Sequence, residues 1–293
     1  MSRAADALEF VDAPVAGGAL RVGRWGAGRR VVLGVHGVTA SSVSLVPVAR
    51  QLGDEFTLIA PDLRGRGGSN ELPGPFGMAA HAADCAAVLD RLGTGPVTVV
   101  GESMGGFVGV VLAARRPDLV ERLVLVDGGL PLPVPEGIDV DTMIDAVLGP
   151  AVARLRQTFE SVDSYLDFWR VHPALQEDWS ADIEAYLRYD LMGEAPELRS
   201  RVSEAAVRAD GAENLVDPGL VPDALASLQC DVVMLRATRG LLNQVPPLYP
   251  DEVVEPWRAV VPRFADEVVD DTNHYTIAFG ERGAKTVADH VRR

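Results

Sequence analysis

The chain has very little lysine. Among its 293 residues there is a single lysine, Lys285, so arginine accounts for the rest of the 27 basic residues. Acidic residues number 42, which gives a formal net charge of −15. Nucleic acids and anionic membranes carry charge of the same sign and would repel such a chain, so neither is expected as a partner. We expect a small-molecule substrate as the partner, and the oligomeric state stays open.

Cysteine and long apolar runs are also scarce. Cys85 and Cys230 are the two cysteines, and their spacing matches no metal site or redox pair. We therefore expect two reduced core residues, with no metal and no cofactor. No window reaches 18 uninterrupted apolar residues, and the N-terminal residues do not show the pattern of a signal peptide. A cytoplasmic protein is the expectation.

The first half of the chain alternates between short apolar runs and longer helical stretches. Ala19–Trp25 alternates like an exposed hairpin strand. Near-continuous apolar runs, typical of parallel strands buried on both faces, occupy Val31–Val35, Thr57–Ala60, Val97–Val100 and Leu123–Val126. Helices are predicted between them at Ser42–Leu52, Met78–Leu92 and Ser103–Arg116. This alternation predicts an α/β fold with a mostly parallel sheet.

After Asp127 the alternation is interrupted. A glycine- and proline-rich linker covers 128–135, and from about Asp141 to Leu228 the sequence contains helical stretches but no strand candidate. The predicted helices there are Met143–Leu155, Val162–Val171 and Ala181–Leu191. Strands resume at Asp231–Leu235 and Ala265–Val269, and a helix at Gly283–Val291 closes the chain. The predicted organisation is a core at 1–130, a helical cap at 131–228 and the rest of the core at 229–293.

A Gly-x-Ser-x-Gly motif lies between a predicted strand and a predicted helix. It reads Gly101-Glu102-Ser103-Met104-Gly105. In this context the motif indicates a nucleophile elbow, a tight turn in which a side chain on either glycine would collide with its surroundings. The turn would present the Ser103 hydroxyl at the carboxyl end of the sheet, with the Met104 amide directed at a developing oxyanion. Glu102 occupies a variable position of the motif and receives no role.

A serine nucleophile needs a base and an acid that orients the base. Of the five histidines, His274 alone lies in the loop between the last predicted strand and the last predicted helix, at the same sheet edge as Ser103, and we take it as the base. Asp127 ends the strand after the nucleophile and is the first candidate for the acid. Asp251 is the alternative, because no other acid follows the strand 231–235 before it.

Four motifs in order resemble those of the α/β-hydrolase superfamily, in its capped branch. They are His36-Gly37-Val38, the run Pro61-Asp62-Leu63-Arg64-Gly65-Arg66-Gly67-Gly68-Ser69, the elbow, and the His274 loop. The resemblance implies an eight-stranded sheet flanked by helices and an oxyanion hole formed by the Val38 and Met104 amides. Most members carry the acid after the strand that matches 231–235, but a subset that includes haloalkane dehalogenases places it after the preceding strand, 24 residues after the nucleophile, which supports Asp127. Those dehalogenases, however, use an aspartate nucleophile, so Ser103 points to an esterase or lactonase type.

The resulting hypothesis is a serine hydrolase that cleaves an ester, lactone or thioester of a largely apolar small molecule. Its candidate substrate-binding residues are aromatic residues of the cap: Trp169, Tyr165, Tyr186 and Tyr189. At helical spacing, the same residues could equally form the cap's own core. The predicted cap has no cluster of Lys or Arg residues, so the sequence gives no reason to expect a strongly anionic substrate. Carbon–carbon bond hydrolysis, cofactor-free perhydrolysis and a receptor with little turnover are the alternatives.

Overall fold

One sheet of eight strands lies at the centre of the computed structural model, which describes residues 8–133, 142, 152–216 and 219–293. Its strands are β1 (Leu8–Val15), β2 (Gly18–Trp25), β3 (Arg30–Val35), β4 (Phe56–Pro61), β5 (Val97–Glu102), β6 (Val120–Val126), β9 (Asp231–Arg239) and β10 (Phe264–Asn273). Their order is β1-β2-β4-β3-β5-β6-β9-β10. All neighbouring pairs from β4 to β10 are parallel, while β2 runs antiparallel to β1 and β4. The predicted fold class, an α/β protein with a mostly parallel sheet, is confirmed.

The apolar runs of the sequence correspond to the central strands. Every residue of β4 is buried, and β5 is buried up to its last residue, as expected of strands covered on both faces. The sequence pattern does not mark β1, because Glu9, Asp12 and Pro14 interrupt its apolar residues. It pairs with β2 through a tight turn at Ala16-Gly17, where Gly17 has a φ of 84°.

Helices cover both faces of the sheet. On one face, α1 (Val46–Leu52) and the C-terminal α10 (Glu281–Arg292) pack on apolar residues such as Val100 and Leu235. On the other, α2 (Met78–Leu92), α3 (Met104–Arg115) and α7 (Leu220–Ser227) pack on residues such as Val99 and Leu123. The chain also forms α8 (Asp251–Val260) after β9 and the short α9 (Thr276–Phe279) after β10.

The segment between β6 and β9 is mostly helical. It contains α4 (Val162–Arg170), α5 (Ala181–Asp190) and α6 (Glu204–Val216) ahead of α7. Leu166, Trp169 and Leu187 of these helices form an apolar cluster that also includes Val43, from the segment after β3. The expectation of no strands here is wrong. Leu191–Met192 (β7) and Arg199–Ser200 (β8) form an antiparallel pair too short to show an alternating pattern. Residues 143–151 of the predicted helix 143–155 lie outside the described residues. The same holds for residues 134–135 of the predicted linker 128–135.

The register of the parallel strands aligns the ends from which the site is built. Glu102, the last residue of β5, lies opposite Val126, the last residue of β6, and Val126 lies opposite Leu235 of β9. The residues that follow these strands therefore meet at one edge of the sheet. Within the described part of the chain, no helix is long and apolar enough to cross a membrane.

Candidate active site

Ser103 occupies a strained turn between β5 and α3. Its φ of 53° and ψ of −120° lie in a region of backbone conformation that residues other than glycine rarely adopt. A Cβ on Gly101 would lie 2.4 Å from the carbonyl oxygen of Gly105, and a Cβ on Gly105 would lie 2.0 Å from the carbonyl oxygen of Val35. Both glycines of the motif are thus sterically required, as the sequence predicts.

His274 and Asp127 form a hydrogen-bonded chain with this serine. The Nε2 atom of His274 lies 3.0 Å from the Oγ of Ser103, and its Nδ1 lies 2.7 Å from the Oδ2 of Asp127. The other oxygen of Asp127 accepts a hydrogen bond from the Ala237 amide at 3.1 Å. The Asp127 carboxylate is fully buried and the imidazole nearly so, which fixes the orientation of both. The three sequence-predicted residues are therefore brought together.

The backbone after β6 makes this arrangement possible. Asp127 has a φ of 46°, and the next residue, Gly128, passes so close to the elbow that a Cβ would lie 2.0 Å from the Ser103 carbonyl oxygen. The alternative acid, Asp251, lies elsewhere. Its side chain is 69% exposed and forms ion pairs with Arg236 and Arg258. The structure therefore excludes Asp251 as the partner of the imidazole.

Burial and charge act in opposite directions on the pKa of His274. Burial alone would lower it, but the hydrogen bond and charge of Asp127, together with the charge of Glu102, raise it above the usual value for histidine. The ring is therefore a stronger base than an ordinary histidine.

Glu102 is a site residue that the sequence analysis left without a role. Its carboxylate lies 3.9 Å from the Nε2 of His274 and accepts a hydrogen bond from the Gly37 amide. Burial raises the pKa of this carboxyl to about 7, against the lowering effects of the imidazole and of that amide. The residue directly before the nucleophile in the sequence necessarily lies at the same edge of the sheet. This position was the feature of the sequence that could have indicated a role for Glu102.

The loop after β3 carries the predicted oxyanion amide of Val38. No described residue accepts a hydrogen bond from that amide or from the amide of Met104, the first residue of α3. The carbonyl oxygen of Val38 accepts a hydrogen bond from the Nε of Arg66 at 3.0 Å. Arg66 in turn forms an ion pair at 2.5 Å with Asp210 of α6, and both side chains are fully buried. A buried ion pair therefore anchors the loop.

The other motif residues around this loop maintain its shape. His36 accepts a hydrogen bond from the Leu63 amide, and burial lowers the pKa of His36 to about 3, so it stays neutral. Asp62 accepts hydrogen bonds from the amides of Ser42 and Gly68. Through these contacts, His36 and Asp62 hold the loops after β3 and β4 together.

A cavity of about 150 Å³ opens at Ser103 between the sheet edge and the helical segment that lies between β6 and β9. Trp169 and Tyr186 line it, as predicted, together with residues that were not predicted, including Phe168, His172, Tyr275 and Phe279. The described lining does not include Tyr165 or Tyr189.

Two of the four predicted aromatic residues thus need correction. The hydroxyl of Tyr165 is buried in contact with Arg154 and Asp190. Tyr189 stacks on Phe10, and its hydroxyl donates to Asp62 at 2.5 Å. Each hydroxyl donates a hydrogen bond to a buried carboxylate that is distant along the chain, and helical spacing does not reveal such a partner.

Comparison with known proteins gives one family and several relatives. A sequence profile of the alpha/beta hydrolase fold matches residues 30–178. Lipase LipV of Mycobacterium tuberculosis is 42% identical over 142 residues, 46% of this chain and 52% of the lipase. The 2-(acetamidomethylene)succinate hydrolase of Mesorhizobium japonicum is 29% identical over 221 residues, 75% of this chain and 66% of that enzyme. The chain thus spans about half the length of the lipase.

Solved structures share the whole architecture. The crystal structure of E-2-(acetamidomethylene)succinate hydrolase superposes with a TM-score of 0.78 at 23% identity, over 98% of this chain and all of that one. A thioesterase domain from the curacin biosynthetic pathway gives 0.72 at 20% identity, over 98% of this chain and 99% of that one. At these identities the likeness concerns the fold.

Proposed function

Because the chain belongs to the α/β-hydrolase family, we propose that it is a serine hydrolase that cleaves a carboxylic ester, lactone or thioester of a small molecule. The observation that carries the proposal is the continuous hydrogen-bonded chain from the Ser103 hydroxyl through His274 to Asp127, at the floor of a cavity. A serine hydroxyl becomes an effective nucleophile when a positioned base removes its proton.

In the proposed mechanism, the Ser103 oxygen attacks the carbonyl carbon of the substrate while the Nε2 of His274 accepts the hydroxyl proton. Asp127 holds the imidazole through Nδ1 and stabilises the imidazolium. The amides of Val38 and Met104 donate to the oxyanion, and each such donor typically contributes about 3 kcal/mol in the transition state.

The tetrahedral intermediate then collapses as the bond to the leaving group breaks. The imidazolium returns its proton to the leaving oxygen or sulfur atom, and an acyl group remains on Ser103. A water molecule, deprotonated by His274, attacks this acyl group by the same route. The acid product leaves, and the serine recovers its proton.

The size and lining of the cavity support a small substrate. An engineered protein cavity of about 150 Å³ holds a molecule the size of benzene. Aromatic side chains cover much of the wall around Ser103, which suits an acyl or leaving group with apolar atoms. The names of the relatives, a lipase and a hydrolase of an acetamido compound, are consistent with attack on an acyl carbon.

The test is hydrolysis of 4-nitrophenyl butyrate by the purified chain and by Ser103→Ala, with circular dichroism to verify that the variant is folded. We expect turnover by the wild type and its loss in the variant. A fluorophosphonate probe should label Ser103, which mass spectrometry of the digested protein identifies. Activity of Ser103→Ala near the wild-type level, or labelling of another residue, would contradict the mechanism. Labelling without turnover of any ester would favour the receptor alternative.

A further inference from the structure

Arg154 is a buried cation in the wall of the same cavity as Ser103. It lies in a helical turn at 152–155, and 1% of its surface is exposed. Its guanidinium stands over the ring of Trp169 at 5.0 Å, and both side chains line the cavity. A buried charge is costly unless partners compensate it, so its partners decide what it can bind.

Every hydrogen bond that the guanidinium makes to a described residue comes from one of its nitrogens. Nη1 donates to the Oδ2 of Asp190 at 2.5 Å, to the hydroxyl of Tyr165 at 2.8 Å and to the hydroxyl of Ser200 at 3.0 Å. Nε and Nη2 are also buried, and neither has a hydrogen-bond partner among the described residues. Buried donors without acceptors are rare in native proteins and indicate a ligand or a water at that position.

Nε and Nη2 form the edge of a guanidinium that binds a carboxylate side-on with two parallel hydrogen bonds. The chain itself contains an example. In Arg64 the same two nitrogens donate to Asp84 at 2.5 Å and 2.8 Å. In Arg154 this edge faces away from the nitrogen that holds Asp190, and no side chain of the described residues supplies the carboxylate.

The charges around the cavity are arranged in keeping with an anion at this edge. Asp190 is already shared, because it also accepts hydrogen bonds from the hydroxyls of Tyr165 and Ser200. Although burial acts to lower the pKa of Arg154, Tyr165 and Asp190 raise it above its usual value, so the guanidinium stays charged. Glu102, the one acid among the described lining residues, is directed at Gly37 and His274.

His172 adds a neutral polar group to the same wall. Burial, together with the charge of Arg154, lowers the pKa of His172, so the ring is uncharged at neutral pH. Its Nδ1 accepts a hydrogen bond from the Ala174 amide at 3.3 Å, which leaves the proton on Nε2 as a donor.

We propose that Arg154 forms an anion subsite that binds a carboxylate group of the substrate, so that the molecule hydrolysed at Ser103 is an anionic acyl compound. This inference deepens the proposed function and rests on it. The carboxylate would hold the substrate at one end while its ester, lactone or thioester carbonyl reaches Ser103. Specificity would follow because a neutral analogue leaves the two buried donors without acceptors.

The experiment uses two matched pairs of esters. 4-Nitrophenyl hydrogen adipate and its methyl ester differ in a carboxylate on the acyl side, and 3-acetoxybenzoate and its methyl ester differ in a carboxylate on the leaving-group side. The measured quantity is the ratio of kcat/KM for the anionic ester to kcat/KM for the neutral ester, which does not depend on the fraction of folded protein. For the wild type we expect at least one pair to favour the anion.

Arg154→Lys keeps a positive charge beside Asp190 but loses the two-nitrogen edge, and we expect it to lower that ratio by about 10- to 100-fold. The double variant Arg154→Met/Asp190→Asn removes both charges together, which guards against an unpaired buried acid, and should lower the ratio at least as far. The matched control is Arg64→Lys, a buried arginine outside the described cavity lining, which should leave the ratio unchanged.

Each result decides a different claim. If the wild type hydrolyses the neutral esters faster in both pairs, or if Arg154→Lys leaves the ratio as it was, the anion subsite is wrong and the serine mechanism stands. If neither variant can be purified, inhibition of wild-type hydrolysis of 4-nitrophenyl butyrate by adipate and by benzoate replaces them. Competitive inhibition by either supports the subsite, and its absence for both overturns it. Turnover of the neutral esters by Ser103→Ala would instead refute the proposed function.

Discussion

At the scale of single residues, the hydrogen bonds of one carboxylate separate two aspartates that the sequence leaves in competition. Asp127 accepts hydrogen bonds from the imidazole of His274 and from the Ala237 amide, in a backbone conformation that the close passage of Gly128 permits. Asp251 is exposed and forms ion pairs with two arginines. The orientation of the base therefore depends on Asp127.

We predict that Asp127→Asn lowers kcat for 4-nitrophenyl butyrate by two to four orders of magnitude, with little change in KM. The amide cannot stabilise the imidazolium and favours the wrong tautomer, which in a serine protease costs about 10⁴-fold. Steady-state kinetics measure the effect, and Asp251→Asn is the control, expected to stay within about threefold of the wild type because exposed ion pairs contribute little. Equal losses in both variants would contradict the assignment.

The raised pKa of His274 gives a second prediction at this scale. The base works when it is neutral, so kcat/KM should rise with pH through a midpoint above the ordinary histidine value of about 6.5. An unperturbed imidazole would give a midpoint near its usual pKa of about 6.5. The difference arises because the charges of Asp127 and Glu102 outweigh the effect of burial.

Glu102→Gln tests the origin of this shift. Above its own pKa of about 7, the Glu102 carboxyl places a negative charge near Nε2. Removal of this charge lowers the pKa of His274, so the acid limb of the kcat/KM profile moves to lower pH. The control is Glu55→Gln, an exposed glutamate just before β4, at the opposite edge of the sheet. An acid limb that stays in place in Glu102→Gln, or that moves equally in the control, would contradict the role of Glu102.

At the scale of elements, the contact of β5 and α3 with β3 sets the geometry of the elbow. The nearest atom to a Cβ on Gly105 is the Val35 carbonyl oxygen, which belongs to backbone, whereas a Cβ on Gly109, one turn later in α3, meets the Cδ1 of Leu123 at 2.9 Å. A side-chain methyl can move aside, but the end of a central strand moves only together with the loop that follows it.

We therefore predict that Gly105→Ala destabilises the protein by about 1–3 kcal/mol and lowers kcat/KM at least tenfold, because the displaced strand end carries the Val38 amide. Gly109→Ala, the matched variant in the same helix, should change stability by no more than about 1 kcal/mol and keep its activity, since alanine favours the helix. Urea unfolding and ester kinetics measure both quantities. Similar behaviour of the two variants would contradict this account of the elbow.

At the scale of the whole molecule, the cavity lies between the sheet edge and the helical segment between β6 and β9, and side chains from both form its wall. Tyr186 of α5 packs against Phe279 of α9, with ring centroids 5.1 Å apart. The space for an acyl chain is thus limited by a contact between two parts of the chain that are far apart in sequence.

We predict that the wild type hydrolyses 4-nitrophenyl esters of short acids, with two to six carbons, faster than the laurate. Phe279→Ala removes the ring from the wall and should move the optimum to chains at least two carbons longer. Phe10→Ala, which alters an aromatic stack outside the described cavity lining, is the control. The profile of kcat/KM against acyl length checks the prediction, and an unchanged optimum in Phe279→Ala would show that this contact does not limit the cavity.

The sequence predicted the parts of the molecule that depend on local pattern. Continuous apolar runs located the central strands, and the residues after those strands, Ser103, Asp127 and His274, could be placed at one sheet edge because parallel strands share their direction. The roles of Arg154 and Glu102 could not be assigned from the sequence, because these roles depend on contacts with residues that are distant in the chain. For the same reason the sequence could not decide whether Tyr165 and Tyr189 bind substrate or belong to the core, since helical spacing identifies a face of the helix but not the carboxylate that a hydroxyl on this face contacts.

The ion pair between Arg66 and Asp210 has a consequence for protein engineering. Asp210 lies on α6, between β6 and β9, but its charge compensates a guanidinium that holds the carbonyl of Val38 in the loop after β3. If the helical segment between β6 and β9 were replaced by that of a relative, the guanidinium of Arg66 would stay buried without its counter-charge, unless the new helices supplied an acid at the position of Asp210. A chimera in which Arg66 and its acidic partner are exchanged together should therefore keep the loop after β3 in place. Crossover points for recombination should be chosen so that both members of this ion pair come from the same parent.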